Sequence, residues 1–307
     1  MKIAIIGTGG VGGYFGGRLA NAGYDVTFFA RGAHLKAIQT NGLKVKSIKG
    51  DFIINPAKAT DNIKKIGIVD FIIVAVKAWQ IKEIAKELPA IMHSETIVIP
   101  MQNGVTAVDE LKEYIDQKNI IGGLCRVFSR IDAPGIIEHF GIEPFILFGE
   151  LDNSTTERIQ KIKSVFDKAE ITNKIANDIT AELWKKFIGI CVGGLMAVSK
   201  TNYGELRELK ETRQLTVKLL TEIYNLSQKM RINIEPDYVS KVMKAIDSYP
   251  YESTSSLTRD VWEGKPSEIE EQNGTVVKLA KQHDVETPVN NFIYSCILPM
   301  EIKARKR

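Results

Sequence analysis

The sequence predicts an α/β protein in two parts: an N-terminal doubly wound parallel sheet and an all-α C-terminal domain. Three observations carry this expectation. Strand-like apolar runs alternate with helical patterns up to about residue 170. From about Ile179 onward the pattern is helical only. The chain also opens on a short apolar run, Ile3–Ile6, that meets a glycine-rich turn and then an apolar periodic stretch through Leu19 to Ala22. A chain of 307 residues suits two domains, placed at 1–173 and 174–307.

In order, strands are expected at Ile3–Ile6, Tyr24–Ala30, Leu43–Ile48, Asp51–Asn55, Val69–Val76, Thr96–Pro100, Ile120–Arg126, Gly135–His139 and Phe145–Gly149. Helices are expected at Ala33–Thr40, Ile81–Ala90, Thr106–Ile115 and Ser154–Lys168. The strands after residue 120 have no helices between them, which predicts that they extend the sheet in antiparallel fashion. The helical half reads as Ala181–Ser199, Leu206–Met230, Pro236–Ile246, Pro266–Gln282 and Pro288–Lys303. Leu215, Leu219, Ile223, Leu226 and Met230 recur at helical spacing. Pro236, Pro266 and Pro288 suit first-turn positions.

The opening turn reads Gly7-x-Gly9-x-x-Gly12. Placed between a strand and a helix, this spacing is the dinucleotide fingerprint of a Rossmann-type domain. Gly7 allows the tight turn, Gly9 lets backbone N–H groups approach a pyrophosphate, and Gly12 lets the helix pack close to the strand. Gly7, Thr8, Gly9, Gly10, Val11 and Gly12 are therefore the candidate phosphate cradle, at the positive end of the helix. The alternative is a tight turn with no ligand. The second strand ends in Ala30-Arg31-Gly32, with no acid at its tip to bind a ribose 2′-OH. The planar fork of Arg31 suits a 2′-phosphate, which points to NADP(H) over NAD(H). A solvated surface arginine is the plainer reading.

Composition narrows the field. The chain is 44% hydrophobic and 25% charged with a net charge of +4, so electrostatics make no case for nucleic-acid binding. Lys303-Ala-Arg-Lys-Arg307 reads as a solvated helix end. Cys125, Cys191 and Cys296 are far apart in apolar surroundings, which suggests a reducing compartment. His34, His93, His139 and His283 show no ligand spacing, so no metal is expected. No apolar stretch approaches the ~20 residues that span a bilayer, and the N-terminus does not read as a signal peptide. A cytoplasmic enzyme with a small-molecule partner is expected, and the apolar surface of the helical half leaves a homodimer open.

In open α/β sheets, ligands bind beyond the carboxyl ends of the strands. Lys77 follows Val69–Val76, and Met101-Gln102-Asn103-Gly104 follows Thr96–Pro100. With the glycine loop and Arg31 they outline a crevice for an anionic, phosphorylated cofactor. Taken singly, Lys77 could be an exposed charge and Asn103-Gly104 a plain turn. In the helical half, Trp184-Lys-Lys186-Phe187 places a lysine in an apolar helix, where it could simply snorkel. Ser255-Ser256 could be an ordinary polar pair. Glu268 would fall at N3 of a helix begun by Pro266, a position that favours a carboxylate.

Taken together, these segments resemble the 2-dehydropantoate 2-reductase (ketopantoate reductase) family over nearly the whole chain. The resemblance rests on Gly7-x-Gly9-x-x-Gly12, Arg31, Val76-Lys77, Gln102-Asn103-Gly104, Trp184-x-Lys186, the Ser256–Asp260–Glu268 spacing, Asn273-Gly274 and Thr287-Pro288. It implies NADPH-dependent reduction of ketopantoate to pantoate, in pantothenate and coenzyme A synthesis, at a site between the two domains. It implies that Lys186 is the general acid and that Glu268 holds the cofactor ribose or orients the reacting groups. Asn103 would position nicotinamide and substrate, Ser256 would bind substrate, and Lys77 would lie near the cofactor. The family pattern commonly has asparagines four and eight residues after the lysine, where this chain has Ile190 and Gly194. A further family asparagine precedes the Gly-Glu-Leu segment. Here Tyr203 directly precedes Gly204, and Asn202 stands one position earlier as a substitute substrate ligand. These departures leave two alternatives, a paralogous reductase of another 2-keto acid and a non-catalytic NADP(H)-binding sensor.

Overall fold

The structure, a computed structural model, describes residues 1–306, so Arg307 of the basic C-terminal segment lies outside the described residues. The chain forms two compact units, residues 1–102 with 106–179 and residues 103–105 with 180–307.

The first unit contains β1 (Lys2–Ile6), α1 (Gly10–Asn21), β2 (Asp25–Phe29), α2 (Gly32–Asn41), β3 (Leu43–Ser47), β4 (Phe52–Ile54), β5 (Lys58–Thr60) and β6 (Val69–Val74). It continues with α3 (Ile81–Ala85), β7 (Met92–Pro100), α4 (Ala107–Lys112), β8 (Gly122–Ala133), β9 (Ile136–Gly149), α5 (Glu157–Lys168) and β10 (Thr172–Ile175). Its first sheet is parallel, in the order β5-β2-β1-β6-β7. Both faces are covered. Ile3, Ile5, Phe28, Phe71 and Ile73 enter one core, while Ala4, Ile6, Phe29, Ile72 and Val74 enter the other. This is why β1 and β6 read as continuous apolar runs. Register aligns the strand ends: Ile6 lies opposite Phe29 and Val74, and Val74 lies opposite Pro100. The residues that follow these ends emerge at one edge of the sheet.

The strands after residue 120 do not extend this sheet as expected. Ile120 makes a single parallel bridge to Val98, and the chain then turns into a second sheet of order β10-β9-β3-β4, with β8 paired antiparallel to β9. The reason lies in α1. Its glycines let it pack against both sheets: Gly16 faces Ile5 and Phe28, while Gly13 faces Ile137 and Gly17 faces Val45. The two strands expected at Gly135–His139 and Phe145–Gly149 are one strand, β9. Its register against β8 shifts between Arg126 and Phe128, so Gly141 and Pro144 sit in a bulge rather than a break. The short strands β5 and β10 are additional. The helix expected over Ile81–Ala90 stops at Ala85, and Pro89 falls in a separate 3₁₀ turn, Leu88–Ile91.

The second unit is helical: α6 (Ile179–Ile190, entered from the first unit), α7 (Val192–Ser199), α8 (Tyr203–Glu208), α9 (Lys210–Lys229), α10 (Tyr238–Ser248), α11 (Ser256–Trp262), α12 (Thr275–Gln282) and α13 (Pro288–Arg305). Phe187, Ile188, Leu219, Leu220, Ile223, Leu226, Ile293 and Ile297 are fully buried in its core. The two long helices expected here are each divided, at Cys191 and at Leu209. The Thr212 hydroxyl donates to the carbonyls of Leu206 and Leu209, closing the α8–α9 junction. Pro288 is at the first turn of α13 as expected, but Pro266 lies outside any helix. After it the chain forms a π-helical turn, Glu270–Gly274, that runs into α12. Glu268 therefore precedes the helix and is not its N3 residue. Among the described residues no helix is long and apolar enough to cross a membrane, and no group of three or more His, Cys, Asp or Glu side chains could hold a metal ion.

Candidate active site

The glycine loop has the shape its sequence requires. Gly7 has φ +103°, and a methyl group on it would lie 2.6 Å from the Val76 nitrogen. One on Gly12 would lie 2.0 Å from the Gly7 carbonyl oxygen. At Gly9 nothing lies within 4 Å, so this side of the loop is open to a ligand. Gly9 is also the N-cap of α1, with no side chain capping the helix and no acid in its first turn. Its leading N–H groups suit a phosphate. Gly10 is a site that the fingerprint spacing does not explain: a methyl there would lie 2.4 Å from the Ser129 carbonyl oxygen of β8. Only the second sheet makes that glycine necessary.

Neighbouring residues hold the loop. The Thr8 amide and hydroxyl both donate to the Phe29 carbonyl, at 3.1 and 2.9 Å, tying the loop to the end of β2. Arg31 then caps α2, with its guanidinium 5.3 Å from the Phe29 ring centre and 3.8 Å from the Glu83 carboxylate. Behind it, His34 Nδ1 accepts from the Gly135 amide at 3.0 Å. Burial holds the His34 pKa below its ordinary value, partly countered by the Thr8 backbone. Lys77 does not directly follow its strand, because β6 ends at Val74. Instead it opens the turn Ala78–Gln80, with Nζ 5.6 Å from the Trp79 ring centre. Buried Gln102 donates from Nε2 to the carbonyls of Val74 and Val76, at 2.9 Å each, which fixes the backbone leading to Lys77.

Asn103–Val105 belongs to the helical unit. There Asn103 Nδ2 donates to Glu268 Oε2 at 3.3 Å, and Glu268 is buried. Gly104 has φ +102°, and a methyl on it would lie 3.0 Å from the Glu271 carbonyl oxygen, so this glycine allows the close approach. The structure thus pairs two residues 165 positions apart in the chain. Lys186 is half-buried on α6, two residues past Trp184, whose ring is in the core edge-on to Phe187 at 5.5 Å. The two side chains leave α6 in different directions, since two residues advance a helix by more than half a turn.

The Ser255-Ser256 pair separates into two roles. Ser255 caps α11, its Oγ accepting from the Thr258 amide, while Ser256 is exposed at the first turn. Asn202 caps α8 in a capping box with Glu205, and its Nδ2 donates to Glu252 at 3.0 Å. Both ends of its amide thus have partners within the unit. Ile190 is half-buried and packed against the helical core. Gly194 has no room for a side chain, since a methyl there would lie 2.4 Å from Asn273 Oδ1 and 2.8 Å from Ile293. Asn273 is fully buried, its Nδ2 donating to the Cys191 carbonyl and to Asn290 Oδ1. Glu271 and Gln272, on the π-helical turn, each carry a buried carbonyl or carboxyl oxygen with no hydrogen-bond partner. The run Glu270-Glu271-Gln272 gave no sign of which carboxylate would be buried.

Residues 3–153 match the family described as Ketopantoate reductase PanE/ApbA, and residues 178–301 match its C-terminal counterpart. The chain is 31% identical to a 2-dehydropantoate 2-reductase of Nostoc over 95% of this chain and 93% of the relative. It is 28% identical to a Bacillus subtilis protein named uncharacterized oxidoreductase YkpB, over 96% and 97%. The crystal structure of a 2-dehydropantoate 2-reductase from Geobacter metallireducens superimposes with a TM-score of 0.90 at 26% identity, covering 97% of this chain and 99% of that one.

Proposed function

Because the chain belongs to the ketopantoate reductase family, we propose that it is an NADPH-dependent reductase of a 2-keto acid, with ketopantoate as the first substrate and pantoate as the product. Members of the family are oxidoreductases. The observation that carries the reading is the Asn103–Glu268 hydrogen bond, held in the same unit as Lys186. In this reading Gly7–Gly12, Arg31 and Lys77 hold the cofactor, and the open face of Gly9 fits its phosphates. When bound, the nicotinamide supplies the hydride.

The remaining chemistry belongs to the chain. Reduction of a ketone builds alkoxide character on its oxygen, and the Lys186 ammonium stabilises that charge and delivers a proton. Glu268 accepts from the Asn103 amide and so holds the side chain that would meet nicotinamide and substrate. The exposed Ser256 hydroxyl contributes a polar contact. Asn202 would have to break the α8 cap to join this set. A second reading, reduction of a more apolar 2-keto acid, is favoured by Ile190 and by Gly194, whose side-chain space Asn273 and Ile293 occupy.

The test is NADPH oxidation with ketopantoate and a panel of 2-keto acids, with NADH in parallel. Turnover of ketopantoate supports the first reading, and turnover of another keto acid alone supports the second. NADPH binding without any turnover would leave a sensor. Lys186→Ala is expected to lower turnover by about 10²–10⁴-fold while NADPH still binds. Near-normal turnover would remove Lys186 from the mechanism.

A further inference from the structure

The π-helical turn Glu270–Gly274 holds a group that the proposed chemistry does not use. Such turns recur at functional sites. Glu271 lies on this turn three residues after Glu268, with its backbone carbonyl against Gly104 of the Asn103-Gly104 segment. Its side chain is half-buried, and its Oε2 is shut off from solvent with no hydrogen-bond partner. A buried carboxyl with an unmatched oxygen is unfavourable as an anion.

We propose that Glu271 is a positioning residue for the Asn103–Glu268 pair, neutral when substrate binds best, and that loss of its proton weakens binding of the anionic substrate. The inference rests on the 2-keto acid reading, since it is the substrate carboxylate that a second negative charge would repel.

The charges around Glu271 agree with this. Burial first, with Glu268 and Glu270, pushes its carboxyl up to about 7 against the opposing effects of its own backbone amide and the Arg305 guanidinium. Arg305 is a weak opponent because its Nε pairs with Glu301 at 2.6 Å. Tyr294, also on α13, faces the same cluster, and burial raises its phenol with help from Glu270 and Glu271. Glu271 is thus surrounded by acids with one shared cation, and its titration falls in the neutral range.

The experiment compares wild type with Glu271→Gln, a neutral side chain of the same shape. KM for the turned-over keto acid is measured from pH 6 to pH 8, with kcat alongside. The wild-type KM is expected to rise about threefold to tenfold across that window, the size of the penalty between two like charges about 4 Å apart at the dielectric of water. In Glu271→Gln that component of the rise is lost, while kcat changes less than KM. Parallel KM profiles in the two proteins would overturn the inference and leave the reductase reading intact. Absence of turnover on every keto acid would overturn the reductase reading instead.

The melting temperature then judges the Glu271 proton without any substrate. A carboxyl raised from an ordinary 4.5 to about 7 stabilises the fold fully below pH 4.5, and that contribution is lost as pH rises to about 7. Glu271→Gln should therefore melt higher than wild type at pH 8 and equally at pH 5. Equal melting at both pH values would remove the proton from Glu271.

Discussion

Gly194 shows how a single position can be misjudged from sequence alone. Read against the family pattern, it is a missing asparagine and a lost polar contact. In the fold, Asn273 Oδ1 and the Ile293 side chain already fill the space an asparagine would need. Gly194→Asn should therefore fail to add a substrate contact and should destabilise the helical unit by about 1–3 kcal/mol through overpacking. Chemical denaturation checks this, and a variant as stable as wild type with improved KM would refute it. Lys186, Glu268 and Asn103 were singled out through the family resemblance, because each alone also has a plain reading: a snorkelling lysine, a helix-start carboxylate and a turn amide. Glu271 was not legible. Glu268, Glu270 and Glu271 are chemically alike, and only packing decides which of them loses its water.

At the scale of the element, local rules succeeded where caps and periods are local. Pro288 starts α13, the continuous apolar runs became β1 and β6, and α5 was anticipated within three residues of its start. The rules failed where one apolar period runs through a junction. Leu206–Met230 reads as one helix, yet Asn202 and Glu205 form a complete capping box that starts a short α8, and α9 begins anew at Lys210. Asn202→Ala removes that box and should cost about 0.5–2 kcal/mol, read from denaturant midpoints. KM for the keto acid should stay near wild type. A raised KM with unchanged stability would return Asn202 to the substrate contacts.

At the scale of the molecule, the parallel register places the glycine loop, Arg31 and the Gln102-buttressed segment at one edge of the first sheet. A ligand that binds only the folded state raises its melting temperature. NADPH at about 100 times its Kd should add about 2.7 kcal/mol, or roughly 5–10 °C for a unit of this size. NADH at the same concentration should add less. Arg31→Ala should shrink the NADPH shift, since a lost charged hydrogen bond costs about 1.5–3 kcal/mol, and should leave the NADH shift nearly unchanged. Equal shifts for the two cofactors would mean that Arg31 does not read the 2′-phosphate.

The class of the fold and the position of the glycine loop between β1 and α1 follow from the sequence alone. Each depends on near neighbours in the chain: a period of two or 3.6 residues, a glycine spacing, a cap. Packing between distant segments put the strands after residue 120 into a second sheet with β3 and β4, and requires glycine at Gly10 because Ser129 lies against it. The same long-range packing paired Asn103 with Glu268 and shut Glu271 Oε2 off from solvent. Those outcomes depend on which distant surfaces meet, and on the loss of solvent where they do.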